Sequence, residues 1–192
     1  ATSAIRSYDP NTGKLLWECR GPATAITAPT PTSIHGLIIV SSGFIPEPVR
    51  PITAFRPGAN GDITLKGDET KSDAIVWRQP AAAPYIPSPI AYGDYIYVLV
   101  DQGFIACYEA KPGKEVYGRT RIAVGVQFSA STIAEDGKLY CASEDGDVYV
   151  IKAGPVYELL AKNSIGESIM ASPAVSGGKM FVRALKHLYC IQ

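Results

Sequence analysis

With 192 residues carrying 18 Lys plus Arg against 18 Asp plus Glu, the chain has a formal net charge of zero and no long run of one sign. That balance excludes a nucleic-acid footprint or an acidic-lipid surface as its organising feature, and no apolar run reaches the ~20 residues that a helical membrane span requires. A hydrophobic share of 46% combined with 18 Gly, 15 Pro and 11 Tyr points to short strands and tight turns instead of helices.

From the N-terminus, residues 4–9 and 14–19 read as two strands joined by Asp9-Pro10-Asn11-Thr12-Gly13. An alternating run ends in the small residue Ser7 and the acid Asp9, the turn residues reverse the chain, and the second strand carries Trp17. The chain opens in the middle of this unit, which predicts a portion of a longer protein. Next come an apolar run over 34–40, broken early by His35-Gly36, and a strand over 51–55. A polar loop over 56–73 follows, and Ile75-Val76-Trp77 then resumes the strand, so Trp77 holds the aromatic position across an enlarged turn. Residues 88–94, 95–100, 103–109 and 115–119 supply four strands. The last two repeat the first hairpin, as Cys107-Tyr108-Glu109-Ala110-Lys111-Pro112-Gly113-Lys114-Glu115-Val116-Tyr117. A third set runs 130–133, 138–142, 147–152 and 157–161, with Asp-Gly turns at Asp136-Gly137 and Asp145-Gly146. The last unit supplies 172–175, a Gly177-Gly178 turn, 179–184 and 187–192.

Two series fix the period. Thr30-Pro31, Ser88-Pro89, Ala130-Ser131 and Ser172-Pro173 open the units, and Ser7, Ala54, Cys107, Val150 and Cys190 end each third strand. Both repeat at ~40 to 45 residues with one insertion, the length of a four-stranded propeller blade. The fold class is therefore all-β, a β-propeller of four-stranded antiparallel blades, about four of them here. The boundaries are a partial blade 1–20, blades 27–79, 86–120 and 128–162, and a partial blade 170–192. Such units cannot bury their apolar faces alone and must stack on their neighbours.

On these residues the chain resembles the pyrroloquinoline-quinone-like β-propeller repeat family. That family includes quinoprotein alcohol dehydrogenases and the propeller lipoprotein of the outer-membrane β-barrel assembly machinery. Its pattern, small-x-Asp-x-x-x-Gly-Lys-x-x-Trp, is met by Ser7, Asp9, Gly13, Lys14 and Trp17, and with substitutions by Glu109, Gly113, Lys114 and Tyr117. Val150 to Leu160 is degenerate, with a shortened turn at Gly154-Pro155. The resemblance implies blade-docking roles for Asp9, Gly13, Trp17, Trp77, Gly113 and Tyr117. It also implies that the chain is the C-terminal half of an eight-bladed ring, in a periplasmic or extracellular bacterial setting. Because the last unit stops after three strands, residues 14–18 are expected to pair with 187–192 of the same or another chain. Two copies would then close the ring as a homodimer.

No constellation that carries a reaction stands out. A quinoprotein dehydrogenase, the rival reading, stacks its quinone between a channel Trp and a vicinal disulfide beside a Ca²⁺. Here Cys19, Cys107, Cys141 and Cys190 stand singly in strand-like runs, which predicts buried small apolar side chains. His35 and His187 are the only histidines, too few and too scattered for a zinc site, and the acidic stretch Glu144-Asp145-Gly146-Asp147 lacks a calcium-loop register. No cofactor, metal or catalytic residue is expected. A binding role for a protein or peptide partner fits better. The interblade loops 21–29, 79–87, 119–129 and 163–171 carry Tyr85, Gln127, Phe128 and Met170, the candidate contact residues.

Overall fold

The computed structural model describes residues 4–21 and 24–192, and every regular element among them is a strand. In chain order these are β1 (Ala4–Tyr8), β2 (Leu15–Arg20), β3 (Thr32–Ile34), β4 (Leu37–Ser41), β5 (Ile52–Phe55), β6 (Gly61–Asp62), β7 (Ile75–Gln79), β8 (Ile90–Tyr92) and β9 (Tyr95–Val100). They continue as β10 (Phe104–Glu109), β11 (Glu115–Arg121), β12 (Ile133–Glu135), β13 (Lys138–Ala142), β14 (Asp147–Lys152), β15 (Leu159–Ser164), β16 (Ala174–Ser176), β17 (Lys179–Arg183) and β18 (Leu188–Ile191). Pairing sorts them into the sheets β1–β2–β6, β3–β4–β5–β7, β8–β9–β10–β11, β12–β13–β14–β15 and β16–β17–β18. The three middle sheets are antiparallel meanders of four strands, the blade expected from the repeat.

The second strand of each blade shows why the sheets stack. In Tyr95-Ile96-Tyr97-Val98-Leu99-Val100 nearly every residue is apolar, and strand geometry sends alternate side chains to opposite faces. Ile96, Val98 and Val100 join Ile39, Ala54 and Trp77 of the preceding blade, while Tyr97 and Leu99 join Leu139, Cys141 and Ile151 of the next. One continuous apolar strand thus feeds two seams, each fully buried side chain contributing roughly 1.5–3 kcal/mol. A sheet with one wet face would show alternating polarity instead.

The third and fourth strands meet in the same way in each unit. Ser7 lies opposite Trp17, Ala54 opposite Trp77, Cys107 opposite Tyr117 and Val150 opposite Ala161. Directly after each of these small residues the register slips, a bulge that bends the outer strand at the same place in four sheets. The fourth unit therefore carries Ala161 where the others carry an aromatic.

Three expectations are corrected. The polar insertion does not simply loop out: Gly61–Asp62 forms β6, which pairs parallel to β2, with Trp17 opposite Gly61 and Glu18 opposite Asp62. Ile63 N–H donates to Glu18 O at 2.9 Å, and Arg20 N–H to Thr64 Oγ1 at 3.0 Å. Both edges of β2 are thereby occupied, by β1 and β6, so residues 14–18 are not the strand that pairs with 187–192. Among the described residues β18 pairs with β17 alone. Lastly, Cys19, Cys107 and Cys141 are buried as expected, but Cys190 is exposed, because β18 has no blade beyond it among the described residues.

A binding face at the loop end of the blades

Antiparallel pairing puts the connections of each blade at alternate ends. The turns between first and second strands and between third and fourth strands share one end. The loops joining second to third strands, and one blade to the next, share the other. At the turn end, Asp9 and Glu109 organise equivalent hairpins. The Asp9 carboxylate accepts the Thr12 and Asn11 N–H groups, each at 2.9 Å, which lowers its pKa, and Gly13 N–H donates to Asp9 O at 2.9 Å. Gly113 N–H donates to Glu109 O at the same distance, and Gly13 and Gly113 both adopt φ 69°.

Docking of one blade on the next runs through these turns. Trp17 stacks on Phe55, centroids 5.2 Å apart, beneath Ile63 and Leu65 of the insertion. Trp77 Nε1–H donates to Ala110 O at 3.0 Å with its ring over Gly113, and Gln79 Nε2 donates to Gly113 O at 2.8 Å. Tyr117 meets Tyr157 edge-on at 6.2 Å, and burial raises its pKa. Where the β14–β15 hairpin is shortened, Tyr97 OH accepts Gly154 N–H at 2.7 Å. At the fourth seam, where Ala161 replaces the aromatic, a recess of about 550 Å³ opens between Val148 and Val150 on one side and Met180 and Ile191 on the other.

Around the innermost strands runs a head-to-tail relay. Thr30 N–H donates to Ser88 Oγ, Ser88 N–H to Ser131 Oγ, and Ser131 N–H to Ser172 Oγ, each at 2.9 Å. Ser131, and not Ala130, is therefore the residue equivalent to Ser88 and Ser172, one position on from the expected alignment.

At the loop end a second pattern recurs. Glu47 accepts Ala25 N–H at 2.7 Å, Asp101 accepts Tyr85 N–H at 2.7 Å, Glu144 accepts the Ser129 hydroxyl, and Glu167 accepts Lys186 N–H at 2.8 Å. In each case a carboxylate ties an interblade loop to the loop between second and third strands. Glu167 also takes His187 Nδ1 and the Tyr189 hydroxyl, and these contacts, led by His187, pull its pKa down to about 2. Four carboxylates on this face are thus turned to protein donors, while Asp145 is exposed. Sequence reasoning missed them, since an acid in a loop carries no mark of what it binds.

The four candidate contact residues separate. Met170 is 66% exposed, Gln127 is exposed with its carbonyl accepting Glu144 N–H, and Tyr85 is half-buried against Phe44 at 5.6 Å. Phe128 is fully buried against Tyr149 at 5.9 Å and belongs to the core beneath the loops. The same end also presents Ile26, Ile45, Val49, Val124 and Leu185, all exposed and none singled out in the sequence. Neither histidine is free: His35 Nε2 lies 2.9 Å from Asp94 Oδ1, and His187 faces Glu167. Among the described residues no group of three His, Cys, Asp or Glu is placed to hold a metal ion.

The fold and its loop face define a β-propeller portion of stacked four-stranded blades. No protein-family model matches the chain. Over 102 residues it is 32% identical to the outer membrane protein assembly factor BamB of Burkholderia pseudomallei, a stretch covering 53% of this chain and 25% of that protein. BamB from Moraxella catarrhalis superposes with a TM-score of 0.68 at 13% identity, over 98% of this chain and 55% of that one. The computationally designed Ika8 protein gives 0.68 at 11% identity over 99% and 52%. A europium-containing methanol dehydrogenase gives 0.51 at 14% identity over 70% and 24%. The chain thus spans about a quarter of the curated relative and about half of the BamB structure it matches. These likenesses support the pyrroloquinoline-quinone-like propeller repeat read from the sequence. A quinone does not fit the residues of this chain: Trp17 and Trp77 are both committed to seams between blades, and the cysteines sit on separate strands.

Proposed function

We propose that this propeller portion is a non-enzymatic scaffold whose loop face binds an extended peptide or protein partner. One observation carries the reading: the exposed apolar side chains Ile26, Ile45, Val49, Val124, Met170 and Leu185 stand on loops that share one end of the blades, while Glu47, Asp101, Glu144 and Glu167 there are engaged internally. Apolar groups gathered on loops that are tied to one another by hydrogen bonds make a contact surface. The likeness to BamB, an outer membrane protein assembly factor, supports an extracytoplasmic setting, periplasmic or extracellular, and a protein as partner. In this reading Tyr85, Gln127 and Met170 are contacts, and the exposed β18 edge offers a place for a second copy to complete a ring.

The test is capture of partners from a periplasmic extract by the immobilised chain, against a double variant Val124→Glu and Met170→Glu. Both sites are exposed, so folding should be unchanged. Loss of the captured partner in the variant is the expected result. Equal capture by both, or pyrroloquinoline-quinone-dependent dye reduction by the chain, overturns the reading.

A further inference from the structure

We propose that the outer rim of the fourth seam, between the β12–β15 and β16–β18 sheets, is a separate docking site that takes an extended peptide with apolar side chains at alternate positions. It stands independently of the loop-face reading. The first seam holds a guest of this kind within the chain. Residues 61–65 run along the outer edge of β2, with Gly61 and Asp62 paired parallel to Trp17 and Glu18. Ile63 N–H donates to Glu18 O at 2.9 Å, and Arg20 N–H donates to Thr64 Oγ1 at 3.0 Å. Ile63 and Leu65 then pack on the cluster of Trp17, Cys19 and Phe55.

The strand registers carry this arrangement over to the fourth seam residue by residue. Ser7 opposite Trp17 corresponds to Val150 opposite Ala161, so Ile5, Cys19, Glu18 and Arg20 correspond to Val148, Asn163, Lys162 and Ser164. Across the seam, Ile38 opposite Phe55 corresponds to Met180 opposite Ile191. Val148, Asn163, Met180 and Ile191 are all walls of the recess of about 550 Å³. The recess thus falls where Trp17, Ile63 and Leu65 pack in the first seam. Among the described residues β15 pairs with β14 alone. By the same register the Lys162 carbonyl and the Ser164 N–H, counterparts of Glu18 O and Arg20 N–H, face outward along that free edge. The outer edge of β11 is free as well, but there Tyr117 packs on Tyr157. A free edge supplies backbone hydrogen bonds and the adjoining recess buries alternate side chains, the two parts of strand addition. The guest is an extended segment with the chemistry of residues 61–65, carrying a ring for the space that Ala161 leaves.

The probe is a synthetic peptide of residues 60–66 carrying Ile63→Trp, added to the whole chain and read from amide and methyl signals in NMR. It should shift the Ser164 N–H and the Met180 and Ile191 methyl signals saturably, and slow hydrogen exchange at Ser164. A peptide carrying Ile63→Asp and Leu65→Asp should leave all of them in place. Ile191→Glu changes an exposed wall of the recess and should weaken binding about tenfold. Ser164→Pro removes an outward N–H at the end of β15 and should weaken it by a similar factor. The Val124→Glu and Met170→Glu double variant should bind the peptide as the parent chain does. Unmoved signals, equal affinity in either rim variant, or loss of binding in the loop-face variant overturns the site. So does a shift of the same signals with protein concentration that the peptide cannot compete away, which would make the guest a second copy of this chain.

Discussion

A Cβ atom on Gly113 would lie 2.3 Å from Cδ2 of Trp77, so the outer hairpin of one blade is folded around the indole of the blade before it. Gly113 also sits at φ 69°, the left-handed region. Gly13 shares that φ, but nothing lies within 4 Å of its Cβ position. Gly113→Ala therefore combines backbone strain with overpacking and should destabilise by about 2–4 kcal/mol, whereas Gly13→Ala should cost about 1 kcal/mol. Urea unfolding of the two variants side by side checks this. Equal losses would mean that the turn conformation alone is what matters.

Trp77 itself separates packing from hydrogen bonding. Trp77→Phe keeps a ring in the seam but deprives Ala110 O of its donor, and should cost about 1–2 kcal/mol. Trp77→Ala should cost about 3–5 kcal/mol by opening a cavity between blades. At the fourth seam the reverse holds. Ala161→Trp restores the aromatic found in the other units beside a recess of about 550 Å³, and should raise stability by about 1 kcal/mol.

Glu167 makes stability depend on pH in a definite direction. Its folded pKa, about 2, is below the ordinary 4.5, so the unfolded chain binds the proton more readily. The stabilisation is present in full above about 4.5 and is lost as pH falls toward 2. Glu167→Gln should lower the melting temperature at pH 7, and the gap to the parent chain should close between those two values. A gap that stays constant with pH would show that the carboxylate charge plays no part.

Thiol reagents should distinguish one cysteine from three. Cys190 is exposed, while Cys19, Cys107 and Cys141 are buried, and burial pushes the thiols of Cys107 and Cys141 up to about 12. Native protein should yield a single fast-reacting thiol, abolished by Cys190→Ser, and the remainder only on unfolding. More than one fast thiol would mean that a seam opens in solution.

The sequence disclosed what local chemistry specifies. Asp9-Pro10-Asn11-Thr12-Gly13 and its copy at Glu109 to Gly113 announced their hairpins, and the offset from small residue to aromatic announced which side chains meet across them. Long-range relationships were hidden. Gly61-Asp62 has no strand signal of its own and becomes one only because β2 has an open edge beside it. Ala161 could not be told from Leu160 until the bulge after Val150 set the register. Phe128 lies three residues before Ser131 and Met170 only two before Ser172, so Ile169 takes the buried place equivalent to Phe128 and Met170 turns outward. Arg119 lies far along the chain from Ala81, and nothing in either stretch announces that its guanidinium donates to the Ala81 carbonyl.

The serine relay has a direction, every donor pointing toward the later blade, and each step depends only on its immediate neighbours. Such a relay can be lengthened without limit and keeps no count of the blades it joins. The outer edge is less even, with the indoles of Trp17 and Trp77, the phenol of Tyr117 and the methyl of Ala161 in the equivalent place of successive sheets. The inner edge of the array is thus uniform from blade to blade, and the outer edge is where one seam can differ from the next.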